Sequence, residues 1–109
     1  MELDQRKVAA ITEFLEDSFV GCSVDCQERA AGDRVAHFYR IVNDTTEKVV
    51  HRVFVSRAFF DDHAEAEIVP ALESLGLVMC LRIAGDRRVL VKTQTIEIEL
   101  GRHASDDRF

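Results

Sequence analysis

The stretch RVAHFYRIVNDTTEKVVHRVFVS, residues 34–56, decides the fold. Residues alternate in two phases through Val35, His37, Tyr39 and Ile41, and again through Val49, His51, Val53 and Val55, and a period of two marks a strand with one buried face. Between the runs lies NDTTE, whose Asn, Asp and Thr side chains favour turns by bonding to neighbouring backbone. The segment therefore reads as an antiparallel hairpin. Upstream, CSVDCQERA alternates in the same way and joins it through AAGDR, so a three-strand meander is expected at roughly 22–30, 34–43 and 47–56.

Helical spacing brackets this meander. Asp4 is placed to cap a first helix whose stripe runs Val8, Ile11, Leu15 and Phe19, flanked by Phe14, with Gly21 as its stop. A second helix is expected over 58–75, carrying Phe60, Ala64, Ile68, Leu72 and Leu75 on one side and ending at Gly76. Its start, FFDDHAEAEI, holds good capping residues in Asp61 and Asp62, and Asp62 and Glu65 have capping-box spacing. That reading absorbs most of the carboxylates without a metal, although His63 and Glu67 share a helix face. Pro70 removes a helical hydrogen bond, so a kink near 66–70, or two shorter helices, is expected. The remaining LVMCLRIAGDRRVLVKTQTIEIEL reads as a hairpin turning at Gly85-Asp86, followed by a frayed tail at 102–109. The fold class is α+β: a five-stranded, mainly antiparallel sheet with two helices packed on one face, in the order α-β-β-β-α-β-β, forming one domain over 1–109.

Composition narrows the function classes. A chain of 109 residues, 47% apolar and 31% charged, can bury the core of one ordinary domain. The amino terminus, MELDQRKVAAITEF, lacks the basic and apolar pattern of a signal peptide, and no apolar run approaches membrane-spanning length, so a cytoplasmic protein without membrane contact is expected. The net charge of −6 argues against a surface that coats nucleic acid as a whole. Cys22 and Cys26, about 13 Å apart on a strand at ~3.3 Å per residue, are too distant for a disulfide, and with Cys80 they read as reduced structural thiols. No cofactor is implied.

Parity sorts the sheet into two faces. With a turn at Gly32-Asp33 and a three-residue loop at Asp44 to Thr46, the inner face takes Val24, Cys26, Ala30, Val35, Tyr39, Ile41, Val49, Val53 and Val55. The last hairpin adds Leu77, Met79, Leu81, Ile83, Val89 and Val91. The outer face collects Arg29, Arg34, Arg40, Lys48, Arg52, Arg82, Arg88 and Lys92 around Phe38, Val42, Val50, Phe54 and Leu90, with Asp25 its only carboxylate. Most acids fall on the helices instead. Phe38, Arg40, Val50, Arg52, Phe54, Arg82 and Leu90 are therefore the expected partner-binding residues, with Phe38 and Phe54 on diagonal positions. The expected partner is a second copy of the chain or another protein, because aromatic residues and arginine are enriched at interface cores. Two other readings stand beside it: arginine stems covering apolar neighbours on a solvated face, and a single-stranded nucleic-acid surface on which rings stack bases.

One constellation suggests chemistry. Parity sets Glu28 across from His37, with His51 diagonal to His37 and opposite Tyr39, a set able to hold a divalent ion or transfer a proton. The competing reading, core histidines satisfied by Glu28 or the Tyr39 hydroxyl, is the stronger, so no metal or catalytic site is favoured. Nucleophile elbows, phosphate-binding glycine loops and the H-E-x-x-H pattern are absent from the sequence. The element order resembles that of the small, acidic, homodimeric chaperones of type III secretion, which implies a non-enzymatic binding or adaptor protein. It also shares helix, meander and helix with double-stranded RNA-binding domains, but their second helix begins with lysines where this chain has DDHAEAE.

Overall fold

The protein is described by a computed structural model over residues 5–31 and 34–98, with 29–31 and 34–36 described as backbone alone. Asp4, the Gly32-Asp33 turn and the tail at 102–109 lie outside the described residues. The elements are α1 (Gln5–Ser18), β1 (Cys22–Ala31), β2 (Arg34–Asn43), β3 (Val49–Ser56), α2 (Arg57–Asp62), α3 (Glu65–Leu75), α4 (Leu77–Ala84), β4 (Arg88–Val91) and β5 (Ile96–Ile98). The strands form one five-stranded sheet in chain order. All pairings are antiparallel except β3 with β4. The fold is thus α+β with a mainly antiparallel sheet, as the alternation predicts, but with four helices rather than two.

The helices cover the inner face. Val8, Ile11 and Leu15 of α1, Phe59 and Phe60 of α2, Ile68 and Leu72 of α3, and Leu77 and Leu81 of α4 form one hydrophobic cluster with Tyr39, Ile41, Val53, Val55, Val89 and Val91. Polar contacts fix the helices to one another: Lys7 Nζ donates to the Phe60 carbonyl at 2.7 Å, and Arg6 lies 3.7 Å from Glu65.

The β1–β2 register follows the expectation, with Glu28 opposite His37. The β2–β3 register is slipped by two residues, pairing Tyr39 with Val53 and His51 with Ile41. The connection between the strands is longer than three residues, spanning 44–48, because Asn43 Oδ1 accepts from the backbone N–H groups of Thr45 and Thr46 and forms a wider Asx-type turn. One residue of the slip comes from the turn and one from a bulge at Val50, so beyond the bulge the side chains keep their faces: Tyr39, Ile41, Val53 and Val55 stay inner, and Phe38, Arg40, Arg52 and Phe54 stay outer.

Two segments differ from the sequence reading. Residues 77–84 form a helix instead of the first strand of the last hairpin. Leu77, Met79, Leu81 and Ile83 satisfy a period of two, but Leu77, Leu81 and Ala84 satisfy a helical period equally well, and these three are the buried ones. Gly76 at φ 76 and Gly85 at φ 64 bound the segment, conformations that favour glycine and let the chain turn sharply at both ends. The helix also lets β4 run parallel to β3, since a parallel pair needs a long crossover, here residues 57–87. The hairpin turn moves downstream, closed by Lys92 N–H donating to the Thr95 carbonyl at 2.8 Å.

The expected second helix is divided, as one of its two readings allows, but at His63-Ala64 rather than near Pro70. The caps differ as well. Ser56 Oγ accepts from Phe59 N–H to start α2, and Glu67 reaches back to accept from Ala64 N–H at 3.0 Å to start α3. Asp61, Asp62 and Glu65 cap neither helix. Pro70 remains inside α3, where it forfeits the single hydrogen bond to Ala66.

The helical α4 makes an asymmetric prediction. Leu81→Ala should cost about 2–5 kcal/mol in urea unfolding, whereas Met79→Ser, at a position 64% exposed, should stay within about 0.5 kcal/mol. Comparable losses at both positions would mean that the strand alternation holds instead.

Candidate functional site

The outer face is organised as two rows that cross the sheet. The pairings Gln27–Phe38, Phe38–Phe54, Phe54–Leu90 and Leu90–Glu97 form one row through all five strands. The pairings Asp25–Arg40, Arg40–Arg52 and Arg52–Arg88 form a second row beside it.

The apolar row is tightly made. Phe38 and Phe54 sit directly opposite rather than diagonally, with ring centroids 4.4 Å apart and planes tilted by 23°. Such a pair contributes about 0.5–1.5 kcal/mol beyond its buried area. Phe38 is fully buried although it lies outside the inner cluster, while Phe54 and Leu90 are half-buried.

Like charges on directly paired positions repel, and the arginine row needs local compensation. Arg40 Nη2 donates to Asp25 Oδ2 at 3.1 Å, and the Arg52 guanidinium donates to the Asp86 carbonyl. The Arg88 guanidinium lies over the Phe54 ring, 5.6 Å from its centroid, a cation–π arrangement. Arg52 is 8% exposed, so it acts as a structural tie between β3 and the turn before β4.

Two expected members leave this face. Val50 packs against the inner cluster, because a bulge between Ile41 and Val42 makes it the extra residue of β3 and reverses its phase. Arg82 lies on α4, where its guanidinium sits 5.9 Å from the Phe19 centroid. Sequence reasoning missed Glu97 as a second carboxylate, which bonds Lys92 at 3.0 Å, because the misplaced hairpin turn left β5 undefined. The alternation of Ile96, Glu97 and Ile98 was its available signal.

Glu28, His37 and His51 do not converge. His37 pairs with Val55 and His51 with Ile41, four residues apart along each strand, or about 13 Å at ~3.3 Å per residue. His51 Nδ1 donates to the Gly85 carbonyl at 2.9 Å, and its ring lies 4.8 Å from that of Phe19. His37 packs edge-on against Phe60 at 5.4 Å, and its buried Nδ1 has no hydrogen-bond partner among the described residues. Neither Glu28 nor Tyr39 fills that role: the Tyr39 hydroxyl donates to the Val8 carbonyl at 3.4 Å. His63 is absorbed into the α2–α3 joint, its Nδ1 donating to the Phe59 carbonyl at 2.8 Å. Among the described residues, no group of three or more His, Cys, Asp or Glu is arranged to hold a metal ion.

Burial tunes the inner groups. It pushes the Cys26 thiol up, partly opposed by its hydrogen bond with Tyr39, and it raises the Tyr39 hydroxyl well above the ordinary tyrosine range. Cys22, Cys26 and Cys80 are free thiols.

No protein-family model, curated protein or solved structure matches the chain. Among the described residues, no helix is long and apolar enough to cross a membrane.

The histidines carry a pH prediction. Burial lowers the pKa of His37 from 6.5, against a smaller raising effect of Glu28, and burial lowers that of His51 likewise, against the Gly85 carbonyl. The unfolded chain therefore binds protons more readily than the folded one, and this contribution to stability, complete above about 6.5, is lost as pH falls toward the depressed folded values. Urea midpoints measured from pH 7.5 down to 5 should fall, and the slope should be shallower in the His37→Gln, His51→Gln variant. An unchanged slope in the variant would exclude these two rings as its source.

Proposed function

We propose that the protein is a non-enzymatic binding or adaptor module of the cytoplasm that associates with a second copy of itself through the outer sheet face. One observation carries this: Phe54 and Leu90, half-buried and backed by the buried Phe38, lie in a row on the face that the helices leave uncovered, flanked by arginines. A two-fold axis along β3 sets Phe54 against its own counterpart and Gln27 over Glu97, so the row is self-complementary, as an isologous interface requires. Aromatic anchors among arginines are the usual make-up of an interface centre.

The single-stranded nucleic-acid reading has less support. A stacking platform offers ring faces to bases, but Phe38 is fully buried and Phe54 turns one face to Phe38 and lies under Arg88. A metalloprotein or enzyme built on Glu28, His37 and His51 is likewise less supported, given the separation of the two rings.

Light scattering on the purified chain should give the mass of two chains, and Leu90→Glu should return the mass of one while leaving the circular dichroism intact. Leu90 is chosen because its loss spares the Phe38–Phe54 stack and the Arg52 tie. A wild-type monomer at high concentration, or a dimer indifferent to Leu90→Glu, would sink this assignment.

A further inference from the structure

A groove runs along the opposite, helical side of the molecule. It holds about 430 Å³ between α1 and α3 and continues into a recess of about 250 Å³ against the start of α4. Its apolar surface comes from Phe14 of α1, Val69 of α3 and Val78 of α4, all half-buried. At the α4 end Met79 is 64% exposed, and Ile83, one turn on and on the same side of the helix, is equally so. Exposed methionine beside a helical groove is a feature of surfaces that accept peptide helices, because its unbranched chain adapts to the incoming side chains.

The rim determines which kind of helix. Glu13 and Asp17, one turn apart on α1, face Glu73 on α3, and among the described residues no lysine or arginine lines the groove. Four acids elsewhere hold a cation within 4 Å: Asp25 with Arg40, Asp61 with Arg57, Glu65 with Arg6 and Glu97 with Lys92. None of the three rim carboxylates has such a partner among the described residues. An apolar floor between uncompensated carboxylates is complementary to a helix with an apolar stripe edged by lysine or arginine.

We infer that the α1–α3–α4 groove docks a cationic amphipathic helix of another protein, its apolar stripe on Phe14, Val69 and Met79 and its cations on Glu13, Asp17 and Glu73. This site is separate from the sheet face, on different elements and with opposite charge, so each stands or falls alone.

The test uses the full chain and a fluorescein-labelled, 14-residue helical peptide of leucine and lysine in amphipathic order, read by fluorescence anisotropy. The leucine–lysine peptide should bind, and a leucine–glutamate peptide of the same pattern should not. Asp17→Lys with Glu73→Lys should weaken binding at least tenfold, and Met79→Gln should weaken it severalfold. Both lysines would lie near helix C-termini, where cations are favourable, so folding is spared. The charge-matched variant Glu47→Lys with Asp62→Lys, away from the groove, should bind like wild type. Equal loss in both charge variants would show general adsorption of cations to an acidic protein and overturn the site, as would no binding at low salt. Leu90→Glu should leave the affinity unchanged whether or not it alters the mass of the protein.

Discussion

The pairing of β2 with β3 is the constraint on which the rest of the structure depends. Tyr39 opposite Val53 builds the floor of the helix-covered core, and Phe38 opposite Phe54 builds the centre of the other face. One register therefore defines both layers. A slip of one residue would bring Phe38 and Arg40 into the core and expel Tyr39 and Ile41, and the cost of burying an unpaired guanidinium excludes it. The bulge at Ile41/Val42 falls on the turn side of the Tyr39–Val53 and Phe38–Phe54 pairs, so phase is lost only beyond the residues that set it.

From that hairpin the remaining elements follow in order. β1 extends the sheet on one edge through a continuous ten-residue register, and the helical crossover from Arg57 to Ala84 returns the chain to lay β4 parallel to β3 on the other. Arg52 links the two stages, because its bond to the Asp86 carbonyl fixes the turn from which β4 starts. His51 acts beside it from the inner face, through the Gly85 carbonyl. The end of the crossover is thus tied from both sides of one strand, at consecutive residues.

Most of this fold was legible in the sequence wherever one periodicity excluded the other. α1 and the meander could be read directly, since Val8, Ile11 and Leu15 fit no strand and the Val35 to Val55 alternation fits no helix. LVMCLRIA was illegible because nearly every residue is apolar, so both periods are satisfied and only tertiary context chooses. The core of the candidate face, Phe38, Arg40, Arg52, Phe54 and Leu90, was recovered by parity alone. Val50 and Arg82 were misplaced for separate local reasons, a bulge with no residue signature and a helix whose apolar run fits a strand equally well. The metal constellation failed through loop length and a bulge: parity correctly set both histidines on the inner face, but one further residue in the turn and the extra residue Val50 together shifted His51 away from Tyr39.

Charge segregation gives the two candidate surfaces different physics. The helical layer gathers Glu13, Asp17 and Glu73 on its outer surface, and the sheet presents Arg40, Arg52 and Arg88 on its far side, so the helices and the sheet both lie between the two sets. A dimer through the sheet face still brings like charges together, and its free energy has to come from Phe54, Leu90 and hydrogen bonds; added salt screens the repulsion and favours it. A cationic helix in the acidic groove gains from charge, and added salt opposes it. The same ions act in opposite directions on the two faces because the sequence placed its acids and arginines on opposite layers of one sheet.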